Sequence, residues 1–498
     1  MGKQCIAIVL CLFLQQISSG QSYDYEALQY SQYERKGTAR SAAVGGAFCA
    51  VGADAGAIAI NPAGLAMFRS SEVSGSINLM NTGSKTDFLN SSNKDNKFRF
   101  IGQQLAIVLA SKLSGSRGGT VKGFGLSFSL DRVADFNNSI YFKDRNDTNS
   151  VTDQYLIIFN SPTYRNVPID YNNFPMDFVL ASESQLVSYD PIRNFYTSSV
   201  TVPVIQSGSI FTRGGITDMA LSGGVNLWDK LYLGASVGFP FMLYKRSYNF
   251  TEQDAEGINP TFNKSSYNQE YASNGIGFVG KLGVIYKPHQ WFRVGASIAT
   301  PTFMALRETF SGSMDTEFDT ATYRAESPNG AFEYSLTQPF RFNTGVAVFF
   351  DKYGFFSADY ELTDYRRNKY NFGVENADFA REINDSMKTA YKTGHTIRTG
   401  IEGAWKSLRV RGGYSYSFTP YQEGQAQPDY NQIRQLYSAG LGYKGKRLSV
   451  DLAYVRSTNT YYYEPYFSIF SYGNDAIKSK THKDQIMLTV GFKLAKQS

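Results

Sequence analysis

Three histidines, His289, His395 and His482, are all that the chain offers for acid–base chemistry near neutral pH. Hydrolysis needs a nucleophile, a base and an orienting group within reach of one another. The pattern around these histidines places them in a short turn, at the start of a strand and in a long connection. Neither GxSxG nor HExxH occurs. Asp144, Asp147 and Asp153 are of a type that binds Ca²⁺, but such acids in a loop are usually solvated charges. The chain is therefore expected not to be an enzyme and to hold no metal and no cofactor. Of three cysteines, Cys5 and Cys11 fall in the first 20 residues. Cys49 is left alone, so no disulfide or thiolate metal site is available within one molecule. It reads as a small packing residue among alanines.

Residues suited to packing are more telling. From Gly37 to Ala66, Gly and Ala fill 17 of 30 positions, and Arg40 and Asp54 are the only charges. With few side chains to hold neighbours away, such a segment packs its backbone closely against its surroundings. Arg40 and Asp54 are expected to pair with each other or with an enclosing wall, because an unpaired charge in a dry interior is costly. The segment ends in Asn61-Pro62-Ala63-Gly64. Asn61 suits a helix N-cap and Pro62 the first helical position, which predicts a short helix from Pro62 to about Met67. Together these residues suggest a plug lying inside a barrel.

The elements around the segment fit that placement. Lys3, the apolar run Ile6 to Leu14 and Ser18-Ser19-Gly20 have the layout of a cleaved secretory signal over 1–20. Nine apolar residues are too few for a spanning helix, which needs about 20. No later segment has 18 uninterrupted apolar residues, which says nothing against a barrel of alternating strands. Removing the leader leaves 48 basic against 43 acidic residues, too weak an excess to suggest nucleic acid. With 35 Tyr and 37 Phe against three Trp, the composition favours strands and a membrane interface.

Period-two alternation recurs along the chain, as in Phe124, Leu126, Phe128 and Leu130 or Ile486, Leu488, Val490 and Phe492. Side chains two apart share one face of a strand. Fourteen such segments lie near 72–81, 98–110, 123–133, 216–228, 231–246, 275–287, 291–300, 338–350, 354–363, 395–405, 408–418, 433–443, 448–457 and 484–494. Connections of two to four residues, such as Asp229-Lys230 and Lys406-Ser407, alternate with long ones at 247–274, 301–337, 364–394, 419–432 and 458–483. Short turns at one end and long loops at the other mark an outer-membrane barrel, with the short ones periplasmic. An even strand count places both termini in the periplasm. The expected fold is all-β: a transmembrane antiparallel β-barrel of about 14 strands over 71–498, with a small hatch over 21–70 in its lumen. The longest connection, 134–215, is irregular; Tyr155 to Phe159 and Ser184 to Tyr189 read as hairpins above the membrane or as two further barrel strands. Alternation also fails at Asp131-Arg132-Val133-Ala134-Asp135, where the strand either ends or bulges.

The stretch Gly37 to Ser74 resembles the start of the long-chain fatty acid transporter family, the FadL/TodX group, and more closely its Bacteroidetes-type versions. Gly37, Ala39, Arg40, Ser41, Gly45-Gly46-Ala47, Asp54, Asn61-Pro62-Ala63-Gly64 and Met67-Phe68 carry the likeness. The resemblance implies a fourteen-stranded outer-membrane barrel closed by an N-terminal hatch with an Asn-Pro-Ala motif. It implies passive, ligand-gated uptake of hydrophobic molecules through an apolar lumen site, with exit sideways through a defect in the wall. A bulge at Asp131–Asp135 would suit such an exit. No ligand-binding residues come with the motif. Arg165, Arg193 and Arg213 are candidates for holding a carboxylate near the mouth, against the plainer reading as solvated arginines. The expected partners are a fatty acid or similar ligand and outer-membrane lipid with lipopolysaccharide, around a monomer.

Rival readings differ in checkable ways. A soluble sandwich or propeller would not give this parity of connections. A diffusion porin would have an open, conducting lumen. A siderophore receptor would need a 22-stranded barrel and a globular plug. A haem ligand on Tyr or His and antigenic surface loops complete the alternatives.

Overall fold

The computed structural model describes residues 23–113, 119–423, 432–463, 465–466 and 477–494. The expected leader at 1–20 lies outside the described residues. Fourteen strands close into one antiparallel ring: β1 Glu72–Phe88, β2 Ser91–Lys112, β3 Val121–Asp135, β4 Val204–Leu227 and β5 Leu231–Asp254. They continue as β6 Phe262–His289, β7 Phe292–Ala299, β8 Arg341–Phe349, β9 Gly354–Asp364 and β10 Thr393–Trp405. The ring ends with β11 Leu408–Ser417, β12 Arg434–Lys444, β13 Leu448–Tyr463 and β14 Ile477–Lys493. It is sealed where β1 pairs with β14, from Glu72 opposite Lys493 to Asp87 opposite Lys478. Each strand matches one segment of the alternation pattern.

The alternation sorts side chains inside out relative to a soluble protein. Leu221, Leu282, Val410 and Leu441 face outward and are 57–62% exposed. Arg341, Asp359, Glu361, Arg398 and Arg411 point inward and are buried. A belt of outward apolar residues is what the hydrocarbon of a bilayer requires. Among the described residues no helix is long and apolar enough to cross a membrane. Spanning is done by strands, whose backbone groups are satisfied around the ring. At the level of the hatch the lumen is polar and charged, which corrects the expected apolar lumen, because the apolar half of each alternation went to the lipid side.

The connections follow the predicted parity, and several turn residues carry the required backbone. Asp229, Asp351 and Lys406 have φ of 56°, 50° and 52° in the short turns. The long loops are mostly strand: β5 and β6 run to 24 and 28 residues. A membrane strand needs about 9–11, so these hairpins rise well beyond the bilayer. The 134–215 connection adds no strand to the ring. Tyr155 to Phe159, expected as extended, belongs to a helix, Val151–Phe159, started by a capping box of Ser150 and Asp153. A second helix, Met176–Glu183, follows, and then a small hairpin pairs Ser188–Asp190 with Phe195–Thr197. This cap buries Tyr155, Phe159, Phe178 and Leu180 against Phe142 and Phe250 of the hairpins.

Before β1 the chain runs through the lumen. Helix α1, Tyr23–Ser31, is followed by α2, Ala39–Ala43, and α3, Ala55–Ile60. The predicted Asn61-capped helix is present as a 3₁₀ helix, Pro62–Met67, with the Asn61 side chain accepting from Ala63 N–H at 3.1 Å. Tyr23 packs among Tyr370, Phe372 and Phe379 of the 364–394 connection. The described N-terminal residues thus sit at the long-loop end, a correction to the expectation of both termini in the periplasm. Strand count fixes where β1 begins, but not where the chain before it goes.

Candidate functional site

The inner segment touches the wall in two ways. The first is backbone against backbone. Gly234, Gly283, Gly295, Gly413 and Gly440, on five different strands, leave no space for a Cβ, which would overlap the segment at Pro62, Asn61, Cys49, Gly45 and Ala43 respectively, and Gly125 lies in tight contact with Leu65. A glycine within a strand often marks where another backbone approaches closely. The segment reciprocates at Gly45, whose φ of 68° and position against Tyr414 of β11 require glycine. Gly37, with φ of 56°, lies against Gly56 in the same way.

The second is a ladder of ion pairs on the β9–β11 side. Arg40 meets Glu402 of β10 at 3.1 Å and Asp54 at 3.8 Å. Asp54 also caps α3 through Gly56 N–H and accepts from Thr38 Oγ1. Glu402 is shared with Arg411 at 2.6 Å, and Arg411 continues to Asp451 at 2.7 Å. Higher up, Glu361 joins Arg35 of the segment to Arg398 of the wall at 3.3 and 3.2 Å. Asn61 holds two backbones together, donating from Nδ2 to Cys49 O at 2.8 Å and to Val284 O at 3.1 Å. Cys49 is buried and free, and its N–H donates to Asp359 at 2.8 Å. It packs in a small cluster with Phe48, Ala50 and Phe355, as a packing residue would.

Above this level lies a cavity of about 100 Å³, bounded by Gln29 to Arg35 on one side and by β10 to β14 on the other. Asp135 and Phe136 complete its lining. Those two residues stand where the wall itself is interrupted. The β2–β3 ladder runs from Lys112 opposite Gly123 to Gln104 opposite Asp131 and stops. Gln103 is a bulge in β2, skipped in its register with β1, and Val133 is a bulge in β3, skipped in its register with β4. Beyond the bulges β3 ends at Asp135, and a further strand, Asn138–Asn146, resumes along β4 but not along β2. Phe98 and Phe100 project outward beside the gap, 68% and 65% exposed, so the interruption lies at lipid depth.

Backbone groups freed in a membrane must find partners. Val133 O accepts from Glu34 N–H of the inner segment at 2.7 Å. Arg132 O accepts from Gln103 Nε2 at 3.0 Å, and Asp135 O from Lys483 Nζ at 3.1 Å. Farther up the strands are bridged by Ser139 to Asp95 and by Asn93 Nδ2 to Lys143 O at 3.1 Å.

No protein-family model matches the chain, and no curated protein matches its sequence. The arrangement of the whole chain does have counterparts among solved structures. A Pseudomonas aeruginosa FadL homologue superposes with a TM-score of 0.52 at 11% identity, over 92% of this chain and 98% of that one. The P. putida toluene transporter TodX gives 0.53 at 13%, over 93% and 100%. This chain has the FadL/TodX fold.

Within that FadL-type barrel, Gly37, Arg40, Gly45, Gly46, Asp54, Asn61, Pro62, Ala63 and Gly64 all sit in the inner segment, buried or half-buried against the wall. The three arginines proposed for the mouth do not line the lumen. Arg213 is exposed on β4, Arg193 pairs with Asp190 at the hairpin tip, and Arg165 donates to Asn194 O. Asp144 accepts from Asn90 N–H, Asp147 pairs with Arg145, and Asp153 belongs to the capping box. Sequence reasoning missed the wall glycines, whose signal was their repeated occurrence inside strands. It also missed Gln103, because nothing in the β2 pattern breaks until the adjacent bulge in β3 is set beside it.

Proposed function

We propose that the protein is an outer-membrane channel for passive uptake of hydrophobic molecules, long-chain fatty acids among them, in which the N-terminal segment is a movable hatch. The observation that carries this reading is the interrupted β2–β3 ladder beside a lumen the segment fills. A plugged barrel without a gap would have no path for cargo, whereas here the cavity lining and the gap share Asp135 and Phe136. An apolar chain moving from water into bilayer through the gap gains roughly 25 cal/mol per Å² of surface removed from water, with no energy input. The likeness to a FadL homologue and to a toluene transporter supports the same class of cargo.

Ala39 N–H donates to Thr489 Oγ1 across the segment–wall boundary at 2.7 Å, which places a crosslink. Ala39→Cys with Thr489→Cys, in a Cys49→Ser background, is expected to abolish saturable uptake of labelled oleate when oxidised and to restore it when reduced. Equal rates in both states would overturn hatch gating. Conductance in planar bilayers separates this reading from a diffusion porin, which would conduct steadily with the segment in place.

A further inference from the structure

The cavity above the hatch does not have the lining that a hydrocarbon would select. Arg35, Arg398, Arg434 and Lys483 line it, against two acids, Glu34 and Asp135. Arg35 and Arg398 share one carboxylate, Glu361, and Lys483 is held by Asp135. Glu34 is taken by Lys36. Arg434 faces Glu34 without a direct ion pair to any carboxylate among the described residues, and four cations against two acids leave the lining with an excess of positive charge. The rest of the lining mixes the apolar groups of Tyr33, Phe136 and Leu436 with the hydroxyl and amide groups of Gln32, Ser415 and Asn459. Gln29 also lines it, and its Oε1 is enclosed with no protein hydrogen-bond partner.

The cavity has room for a headgroup. Phe136 stands at the side of the cavity where the wall is interrupted, which gives an attached chain an apolar way out toward lipid.

Resting on the reading of this lumen as a conduit, we infer that its cargo is an amphiphile whose head carries an anion flanked by a hydrogen-bond donor, as in a hydroxy acid or an N-acyl amino acid. Arg434 meets the anion by a charge-assisted pair. Gln29, with Glu34 and Asp135 nearby, accepts from the adjacent hydroxyl or amide N–H. A plain hydrocarbon or alcohol leaves Arg434 unanswered and loses affinity, because the site's polar groups are then buried unpaired.

The test is binding of four twelve-carbon probes to the purified full-length protein: dodecan-1-ol, dodecanoate, 3-hydroxydodecanoate and N-dodecanoylglycine. The alcohol is expected to be weakest and the two donor-bearing acids to bind about tenfold more tightly than dodecanoate, as one added hydrogen bond gives. Arg434→Met should erase the preference for acids over alcohol, and Arg434→Lys should keep part of it. Gln29→Leu should erase only the advantage of the donor-bearing acids. Heat-modifiable migration on gels confirms that each variant is folded. Should all four probes bind alike, or should Arg434→Met leave the ranking intact, the assignment is wrong even where hatch-dependent uptake persists. Should the ranking hold while no probe crosses the membrane, the headgroup site stands and the transport reading falls.

Discussion

Among the described residues the strands of the wall break off in two places, and only one of these breaks opens. After β7 the chain breaks at Thr300-Pro301 and resumes as Thr302–Phe318; before β8 it breaks at Pro339-Phe340, below the strand Gly330–Gln338. These interruptions stand side by side, and the outer pieces pair again, Thr302 opposite Gln338, while the ladder to β6 continues at Phe303 opposite Phe278. After β3 the chain also breaks, at Phe136-Asn137, and resumes along β4. Its other neighbour, β2, does not follow. Proline removes a donor and fixes φ, so two adjacent strands that break at proline together lose the same rung and keep their register. At β2–β3 each strand has inserted a bulge residue against its outer neighbour, and the two edges part. An irregular strand is therefore not an opening; an opening needs neighbours that fail to recover a common register.

The largest expected effect comes from tying the open site shut. Asp95→Cys with Ser139→Cys, whose parent side chains touch across the gap, should reduce hydrophobe uptake to background when oxidised in a Cys49→Ser background. Thr302→Cys with Gln338→Cys, across the recovered site, should leave uptake unchanged. If both pairs act alike, the contrast between the two interruptions has no functional content.

Next in size is the hatch. Gly413→Leu places a side chain where the backbone of Val44 and Gly45 lies, and should lift the segment from the wall. Single-channel conductance is expected to rise while the unheated protein still migrates faster than the boiled one. Unchanged conductance would show that the inner segment does not occlude the lumen.

A smaller effect should appear in the extracellular cap that packs on Phe142 of the strand resuming beyond the gap. Burial pushes Asp177 from the usual carboxylate range up to about 7. Its unfolded form ionises near 4, so between that pH and about 7 the unfolded cap gives up a proton that the folded cap keeps. The cap is thus most stable in acid, and ionising Asp177 costs it up to about 4 kcal/mol as pH rises to 7 and beyond. Hydrogen-exchange protection over 151–187, taken relative to the intrinsic base-catalysed rate at each pH, should fall between pH 5 and pH 8 in the wild type. Asp177→Asn should flatten that dependence, and an unaltered dependence would assign it elsewhere.

The smallest change is expected at Asn61→Ala. Losing the cap costs about 1 kcal/mol, and Cys49 O loses a donor as well. Maleimide labelling of Cys49, the one cysteine among the described residues, should quicken by about fivefold to tenfold for a loss of that order. A labelling rate equal to the parent's would mean Asn61 does not hold the segment down.

The legibility of these features follows from how local their signals are. Each ring strand was readable because period-two alternation is carried within ten residues and lipid demands it. The Asn61 cap was readable for the same reason. The cap helix Val151–Phe159 was misread as extended because the β-branched and aromatic run VTDQYLIIF outweighed a capping box at its start. The charged lumen was hidden because alternation gives two faces without saying which one meets lipid. The gap was only half legible: the sequence flagged Asp131 to Asp135, but the loss of pairing depends on Gln103, about 30 residues away. Register between strands is a tertiary property.

The descent of α1 and the segments after it through the lumen has a consequence for assembly. The β1–β14 seam closes around a chain that already occupies the interior, and the glycine contacts leave no clearance for threading it afterwards. The inner segment must therefore be gathered in before the first and last strands meet, which makes it a template for closure as well as a stopper. It also fixes an address: with Tyr23 among Tyr370, Phe372 and Phe379, an epitope joined directly before Tyr23 would emerge at the long-loop end of the barrel, whereas one joined directly after β14 would emerge at the short-turn end.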